Sequence, residues 1–309
     1  MSRIHEALKK AEQERAAVQT TNAVALPIDL TTAAPARGHG APNMTAAVHA
    51  GATVGSLSPG QYFRFDELCA HCANPPWHLD PNVNVFVGAN GHGAEQFRSL
   101  RSRLYQLRGN GSNLLRTLLI TSAMPAEGKT FVVNNLAQGI VRQPDRRVLM
   151  IDADLRLPRL HVALGAPTTP GLTDYLRGQA DVMEVIQHGQ VGNLCFIPGG
   201  KEVTNPSELL SNGRLKTLLD RLTPVFDWVI LDSPPCLPVA DSSILADFCD
   251  GVLMVVGAGS TPCEAVQRAC REFRERNLIG VVLNRAEENP NYGAYHYYAD
   301  YGESEQNAR

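Results

Sequence analysis

Several stretches of this 309-residue chain carry polar residues whose types and spacing are those of phosphate chemistry. The run TLLITSAMPAEGKTFVVNNL (Thr117 to Leu136) reads as an apolar strand, Leu118 to Thr121, a turn-rich loop from Ser122 to Gly128, and a helix opening at Lys129. Gly-Lys-Thr between a strand and a helix is the P-loop arrangement, in which backbone N–H groups and the helix N-terminus hold phosphate oxygens. The cradle then comprises Ala126, Glu127, Gly128, Lys129, Thr130 and Phe131. Lys129 brings a point charge to the β- and γ-phosphates, and the Thr130 hydroxyl is a ligand for Mg²⁺. The strict pattern G-x-x-x-x-G-K-[ST] wants Gly where this chain has Ala123, so Ala123 is expected to keep an ordinary negative φ. The plain alternative is a chance Gly-Lys-Thr in a surface turn, which the flanking strand and helix oppose.

Three further strand ends carry unusual polar residues. RVLMIDAD ends in Asp152 and Asp154, WVILD ends in Asp232, and LIGVVLNR ends in Asn284 and Arg285. A carboxylate after four apolar residues, about a hundred residues beyond a P-loop, fits one that holds Mg²⁺ through water, which gives Asp232 that role. Asp152 and Asp154 have a bland explanation as helix caps, since Pro158 soon starts a helix. Beside a Mg²⁺–phosphate site, one of them is expected to complete the metal shell and the other to take a proton from an attacking hydroxyl. Five of the eight Tyr residues (Tyr292, Tyr295, Tyr297, Tyr298 and Tyr301) cluster beyond the last strand. The bland version is an aromatic knot or hairpin. With Gly and acidic residues around them and no apolar partners, they read instead as a tethered strip of phosphoryl acceptors.

The elements that must position these residues alternate in type. Apolar runs of about five residues are separated by helices, which predicts an α/β fold: a mostly parallel, P-loop NTPase-like sheet covered by helices on both faces. Its site belongs at the carboxyl ends of the strands. GLTDYLRG, DVMEVIQH and PSELLSNGRLKTLLDRL each read as one helix. Ala94 to Arg108 is a strong helix whose Phe97, Leu100, Leu104 and Leu107 are expected to face the core, while Glu95, Arg98 and Arg101 form a separate charged ridge. The organisation expected is an N-terminal helix (1–19), a flexible linker (20–82), the catalytic domain (83–286) and the Tyr-rich tail (287–309).

Composition narrows the class. A formal net charge of −3 offers no general pull toward nucleic acid, and an apolar fraction of 44% is ample for a core. No apolar run reaches membrane-spanning length, and Met1 opens a charged stretch, so a cytoplasmic protein is expected. Cys195, Cys236, Cys249, Cys263 and Cys270 lie in or beside predicted core elements, as reduced thiols would. Cys69, His71, Cys72 and His78 match zinc ligands by type, but no second Cys pair accompanies them and the segment is turn-rich.

With these motifs in place, residues 84–301 resemble the bacterial tyrosine kinases that govern capsule and exopolysaccharide export. The resemblance rests on TSAMPAEGKT, VLMIDADLRLPRLH, NPSELL, WVILDSPP with VADSSILAD, and the Tyr cluster. It implies an ATP- and Mg²⁺-dependent autokinase with Lys129, Asp152 and Asp154 in catalysis. It places the metal at Thr130, Asp152 and Asp232, the acceptors in the tail, and an adenine contact at Asn284. It further implies that Glu95, Arg98 and Arg101 pack subunits into a ring, and that a membrane-bound polysaccharide chain-length or export protein recruits and activates the kinase at the inner face of the plasma membrane. A tyrosine phosphatase would be a further partner. The competing expectation is a partitioning-type ATPase acting as a nucleotide-gated scaffold. Such ATPases carry an additional Lys near the start of the P-loop, where this chain has Met124, and they lack a terminal Tyr cluster.

Overall fold

The computed structural model of the protein describes residues 64–87, 92–109 and 114–286, all within the unit Leu57–Arg309. The helix expected over 2–18, most of the linker, and the five tail tyrosines lie outside the described residues. The strands are β1 (Thr117–Ser122), β2 (Arg147–Asp152), β3 (Gln187–His188), β4 (Asn193–Ile197), β5 (Trp228–Asp232), β6 (Gly251–Gly257) and β7 (Leu278–Asn284). They form one sheet in the order β3-β4-β2-β5-β1-β6-β7. Every pairing is parallel except that of the two-residue edge strand β3 with β4.

Side chains alternate across this sheet, and both faces of β1, β2, β4, β5 and β6 are dry, whereas Val281 and Leu283 on the edge strand β7 are exposed. Leu119, Leu149, Ile151, Val229, Leu231, Val252 and Met254 enter one core, while Leu118, Ile120, Val148, Met150, Trp228, Ile230 and Leu253 enter the other. That is why the strands read as unbroken apolar runs: a period of two is invisible when both faces are buried. Each such side chain contributes roughly 1.5–3 kcal/mol by leaving water.

The face with Trp228 is covered by α2 (His92–Leu107), α3 (Lys129–Val141) and α4 (Leu160–Leu164). The other takes α1 (Phe65–His71), α5 (Leu172–Leu176), α6 (Val182–Val185), α7 (Pro206–Leu210), α8 (Arg214–Leu222), α9 (Asp241–Ala246) and α10 (Cys263–Glu272).

Three expectations change. Residues 64–82 are built into the fold rather than belonging to a linker. Phe65 and Leu68 are buried, Trp77 packs edge-on to Phe196 with centroids 6.3 Å apart, and Ala73 bridges to Gln187. A few aromatic anchors in a polar stretch were enough. PSELLSNGRLKTLLDRL is two helices, because Gly213 adopts φ 81° and the Asn212 side chain accepts the Arg214 N–H, which starts a new helix. DVMEVIQH ends as strand β3 after the one-turn helix α6, capped by Asp181 and Glu184.

The stripe on α2 also shifts. Phe97 and Leu104 are buried, but Leu107 is 53% exposed and Arg108 takes the inward place. At 100° per residue, Arg108 returns almost to the direction of Phe97 whereas Leu107 falls short. The Arg108 guanidinium stacks on Trp228 at 5.1 Å and donates to the carbonyls of Leu115 and Asp227, which makes its burial tolerable. Among the other elements, Cys195 and Cys236 are buried while Cys263 is exposed at the start of α10.

Candidate active site

Sheet order assembles the site. β2, β5, β1, β6 and β7 lie side by side, and the carboxyl ends of these five neighbours deliver, in sequence across the sheet, Asp152, Asp232, the P-loop, Gly257 and Asn284. The residues are far apart in the chain, and parallel pairing puts their strand ends on one edge.

The P-loop leaves β1 at Ser122 and enters α3 through Gly128, whose φ of 95° suits glycine alone. A Cβ there would also lie 2.0 Å from the Asn284 Nδ2. The loop's other left-handed residue is Ala126 (φ 64°), and Ala123 is not among the positive-φ positions, as expected for it. Lys129 directs its Nζ to within 3.4 Å of Asp154 Oδ2, with both side chains nearly buried. Thr130 Oγ1 donates to Asp232 Oδ2 at 2.6 Å. Phe131 contributes only backbone, because its ring packs against Phe97.

Asp152 and Asp232 face each other as register partners across β2 and β5, both fully buried. Helix capping and site chemistry turn out to share the carboxylates at the end of β2. Asp152 Oδ2 accepts the N–H groups of Arg159 and Leu160 at 3.0 Å, and Asp154 Oδ1 accepts that of Leu157 at 3.1 Å. The second oxygen of Asp154 faces Lys129, whereas Asp152 Oδ1 and Asp232 Oδ1 are buried with no hydrogen-bond partner among the described residues.

Burial, and then the neighbouring Asp232, push the Asp152 carboxyl well above the usual range. Burial raises Asp232 to about 7, against the opposing pull of the Lys129 ammonium and the Thr130 hydroxyl. Two buried acids that resist ionisation, each with an orphaned oxygen and with a Thr hydroxyl beside one, suit a hard divalent cation. Mg²⁺ takes few protein carboxylates and keeps water and phosphate oxygens for its remaining positions.

Asn284 is brought to the loop, but its Nδ2 donates to the Glu127 carbonyl at 2.8 Å. The amide therefore braces the P-loop, which leaves its Oδ1 for the adenine contact expected of it. Glu95, Arg98 and Arg101 lie on α2, away from this edge. Glu95 and Arg98 are exposed and paired at 2.8 Å, whereas Arg101 Nη1 donates to Gly139 O at 2.6 Å and braces the last turn of α3. Among the described residues, no three His, Cys, Asp or Glu side chains gather as a metal set, Cys69, His71, Cys72 and His78 included.

Sequence reasoning missed two groups. One is the Glu127 side chain with its partner Thr261. The other is a cluster in which Arg156 grips the buried Asp241 through Nε (2.7 Å) and Nη2 (3.0 Å) while Ser207 bonds the same carboxylate. The runs LRLPRLH, NPSELL and VADSSILAD supplied these last three residues, but only the fold brings them together.

A family model described as an AAA domain matches residues 120–275. The tyrosine-protein kinase YwqD of Bacillus subtilis is 32% identical over 221 residues, 70% of this chain and 92% of that protein. The tyrosine-protein kinase ptk of Acinetobacter johnsonii is 38% identical over 192 residues, 62% of this chain, and the match spans about a quarter (26%) of that longer protein. Among solved structures, the kinase domain of the Escherichia coli tyrosine kinase ETK is 34% identical, with a TM-score of 0.58 over 63% of this chain and 78% of its own. No helix among the described residues is long and apolar enough to cross a membrane. With its P-loop, its three site carboxylates and relatives matched over nearly their whole length, the chain belongs to the bacterial tyrosine-protein kinases.

Proposed function

We propose that the protein binds ATP with Mg²⁺ and transfers the γ-phosphate to the tyrosines of its own C-terminal tail, Tyr292, Tyr295, Tyr297, Tyr298 and Tyr301, thereby regulating exopolysaccharide polymerisation or export. The observation that carries this is the pairing of Lys129 with Asp154 beside the Asp152–Asp232 carboxylates. Thr130, Asp152 and Asp232 would hold Mg²⁺, which would supply positive charge to offset the phosphates and those carboxylates. The chain's own residues do the rest. P-loop N–H groups orient the phosphates, and Thr130 and Asp232 hold the metal side. Asp154 accepts the tyrosine hydroxyl proton as the phenolic oxygen forms its bond to phosphorus and the ADP oxygen leaves. Lys129, drawn to the phosphates, releases the Asp154 oxygen for that task.

The tail root supports the assignment. β7 ends at Asn284, which touches the P-loop, so the chain departs from the site's own edge. Tyr292 and Tyr301 lie seven and sixteen residues beyond Arg285, an extended reach of roughly 25 to 55 Å, enough for a neighbour's site and for the tail's own. In the same proposal the subunits form a ring through Glu95 and Arg98. A membrane-bound polysaccharide chain-length or export protein recruits the kinase to the inner face of the plasma membrane and stimulates it, and a tyrosine phosphatase resets it. Five phosphates would add on the order of −8 per subunit and drive the tails apart.

The test is incubation with labelled ATP and Mg²⁺, followed by mapping of the phosphorylated residues. Label is expected in the tail, and Phe at all five positions should abolish it without loss of nucleotide binding. Persistent label elsewhere overturns the tail's role. Asp154→Asn is expected to keep nucleotide and lose phosphotyrosine. Normal polymer export in that variant would favour a nucleotide-gated scaffold.

A further inference from the structure

The loop that would cradle ATP is held in shape from behind, by a carboxylate that faces away from the Lys129–Asp154 pair. Glu127 is only 3% exposed. Its Oε2 accepts the Met124 N–H at 2.5 Å, closing the turn Met124–Glu127 on itself around the left-handed Ala126. Its Oε1 accepts the Gly257 N–H at 3.1 Å and the Thr261 hydroxyl. One side chain thus ties the P-loop to the end of β6 and to the turn that leads into α10. On the main-chain side, Asn284 Nδ2 holds the carbonyl of the same residue.

The neighbouring backbone is shaped for this. Gly257 lies so close to the Ser260 and Thr261 hydroxyls and to Glu127 Cγ that a Cβ on it would meet Ser260 Oγ at 2.5 Å. Every acceptor contact of the Glu127 carboxylate is therefore made to its own loop or to the 257–261 turn, and the Met124 N–H is committed to it rather than to a phosphate.

We infer that Glu127 and Thr261 are positioning residues for nucleotide binding: their contact presets the phosphate cradle, so that the 257–261 turn is part of the nucleotide site although it need not touch the nucleotide. A buried carboxylate with three donors loses several charge-assisted bonds when it is removed, and a loop with one left-handed alanine has other conformations to fall into. Without the tie, the cradle must be ordered at the expense of binding, which raises the ATP KM while the chemistry within the bound complex continues. Glutamine at 127 keeps an acceptor for Thr261 but turns an N–H₂ toward the Met124 N–H, so its effect falls between those of glutamate and alanine.

This rests on the loop being an ATP cradle. The experiment uses the full chain with a fluorescent ADP analogue for affinity and labelled ATP for kcat and KM, on wild type, Glu127→Gln, Glu127→Ala, Thr261→Val and Thr261→Ser. Thr261→Val keeps the shape of a partly exposed turn residue, so its folding is not at issue, and melting temperatures verify this. Thr261→Val is expected to weaken the analogue and raise the ATP KM about three- to tenfold, with kcat within about twofold, and Thr261→Ser should restore wild-type values. Glu127→Ala should cost more, and the double variant Glu127→Ala/Thr261→Val should cost less than the two single effects combined. Unchanged affinity in folded Thr261→Val and Glu127→Gln overturns the inference, as does a loss confined to kcat or a failure of Thr261→Ser to restore binding. A wild-type protein that binds no nucleotide overturns both the inference and the assignment beneath it.

Discussion

The carboxylates of the site are held in a state that favours function over stability. Asp152 and Asp232 are buried side by side, and burial raises both above the ordinary carboxylate range. A group that is harder to ionise in the folded chain than in the unfolded one stabilises the fold at low pH and loses that contribution as pH rises through its folded value. For Asp232 the window runs from about 4 to about 7. Metal-free, nucleotide-free protein should therefore lose stability between about pH 4 and about pH 7, by up to a few kcal/mol in urea melts, and Asp232→Asn should flatten that slope. Asp152→Asn should raise the melting temperature at pH 8 by several degrees while abolishing phosphoryl transfer, since it removes one of two adjacent buried acids whose ionisation burial opposes. Gly128→Ala makes the opposite point. With φ at 95° and Asn284 Nδ2 only 2.0 Å from the new methyl, nucleotide binding should fall by at least tenfold in a direct titration. The need for glycine at 128 was legible from the motif. The identity of the group that crowds it was not, because Asn284 is distant in the chain.

At the scale of elements, α3 carries the P-loop and is buried all round, polar residues included. Asn134, Asn135 and Gln138 bond partly within the helix and take further partners from the strap at residues 83–86. Asn84, itself fully buried, donates to Asp80 O and Ala163 O and accepts from Asn134 and Gln138. The Val85 N–H donates to Asn135 Oδ1, and Asn135 Nδ2 donates to Val83 O. Such a network is stabilising only when complete. Asn84→Ala should therefore cost about 2–4 kcal/mol, readable as a lower denaturation midpoint, since it removes four hydrogen bonds among buried groups at once. The P-loop placed the start of α3 at Lys129 from sequence alone. The sequence placed the strap at the boundary of a linker, because a partner for buried amides is a property of the assembled helix. The same limit applied to α2, where an aliphatic count put Leu107 inward and the true period selected Arg108, whose stem and guanidinium suit Trp228 better than solvent.

Across the described residues, seven strands in mostly parallel order bring five strand ends to one edge, and the proposed ring would be the next level of order. Arg101 is engaged within its own chain at Gly139 O, whereas Glu95 and Arg98 form an exposed pair. Their variants should separate two effects. Arg101→Ala should lower stability by about 1–2 kcal/mol through the lost brace on α3. Arg98→Glu should change the melting midpoint by less than about 0.5 kcal/mol, as exposed pairs do, yet shift the mass seen by light scattering if this ridge joins subunits in the proposed ring. An unchanged mass with normal autophosphorylation would remove the ridge from assembly.

By itself the sequence determined the apolar strands of the sheet, though not the edge strand β3, together with the P-loop and the acids Asp152, Asp154 and Asp232 that follow β2 and β5, because apolar runs and a glycine-lysine-threonine turn are local properties of the backbone and its solvent. Tertiary structure decided which oxygen of Asp152 and of Asp154 accepts the N–H groups leading into α4, and set Asp232 against the Thr130 hydroxyl. It also made Asn284 a brace and placed the Glu127 carboxylate behind the loop with Thr261. Those choices depend on which strand ends become neighbours, and parallel pairing over more than a hundred residues fixes that only when the whole sheet has formed.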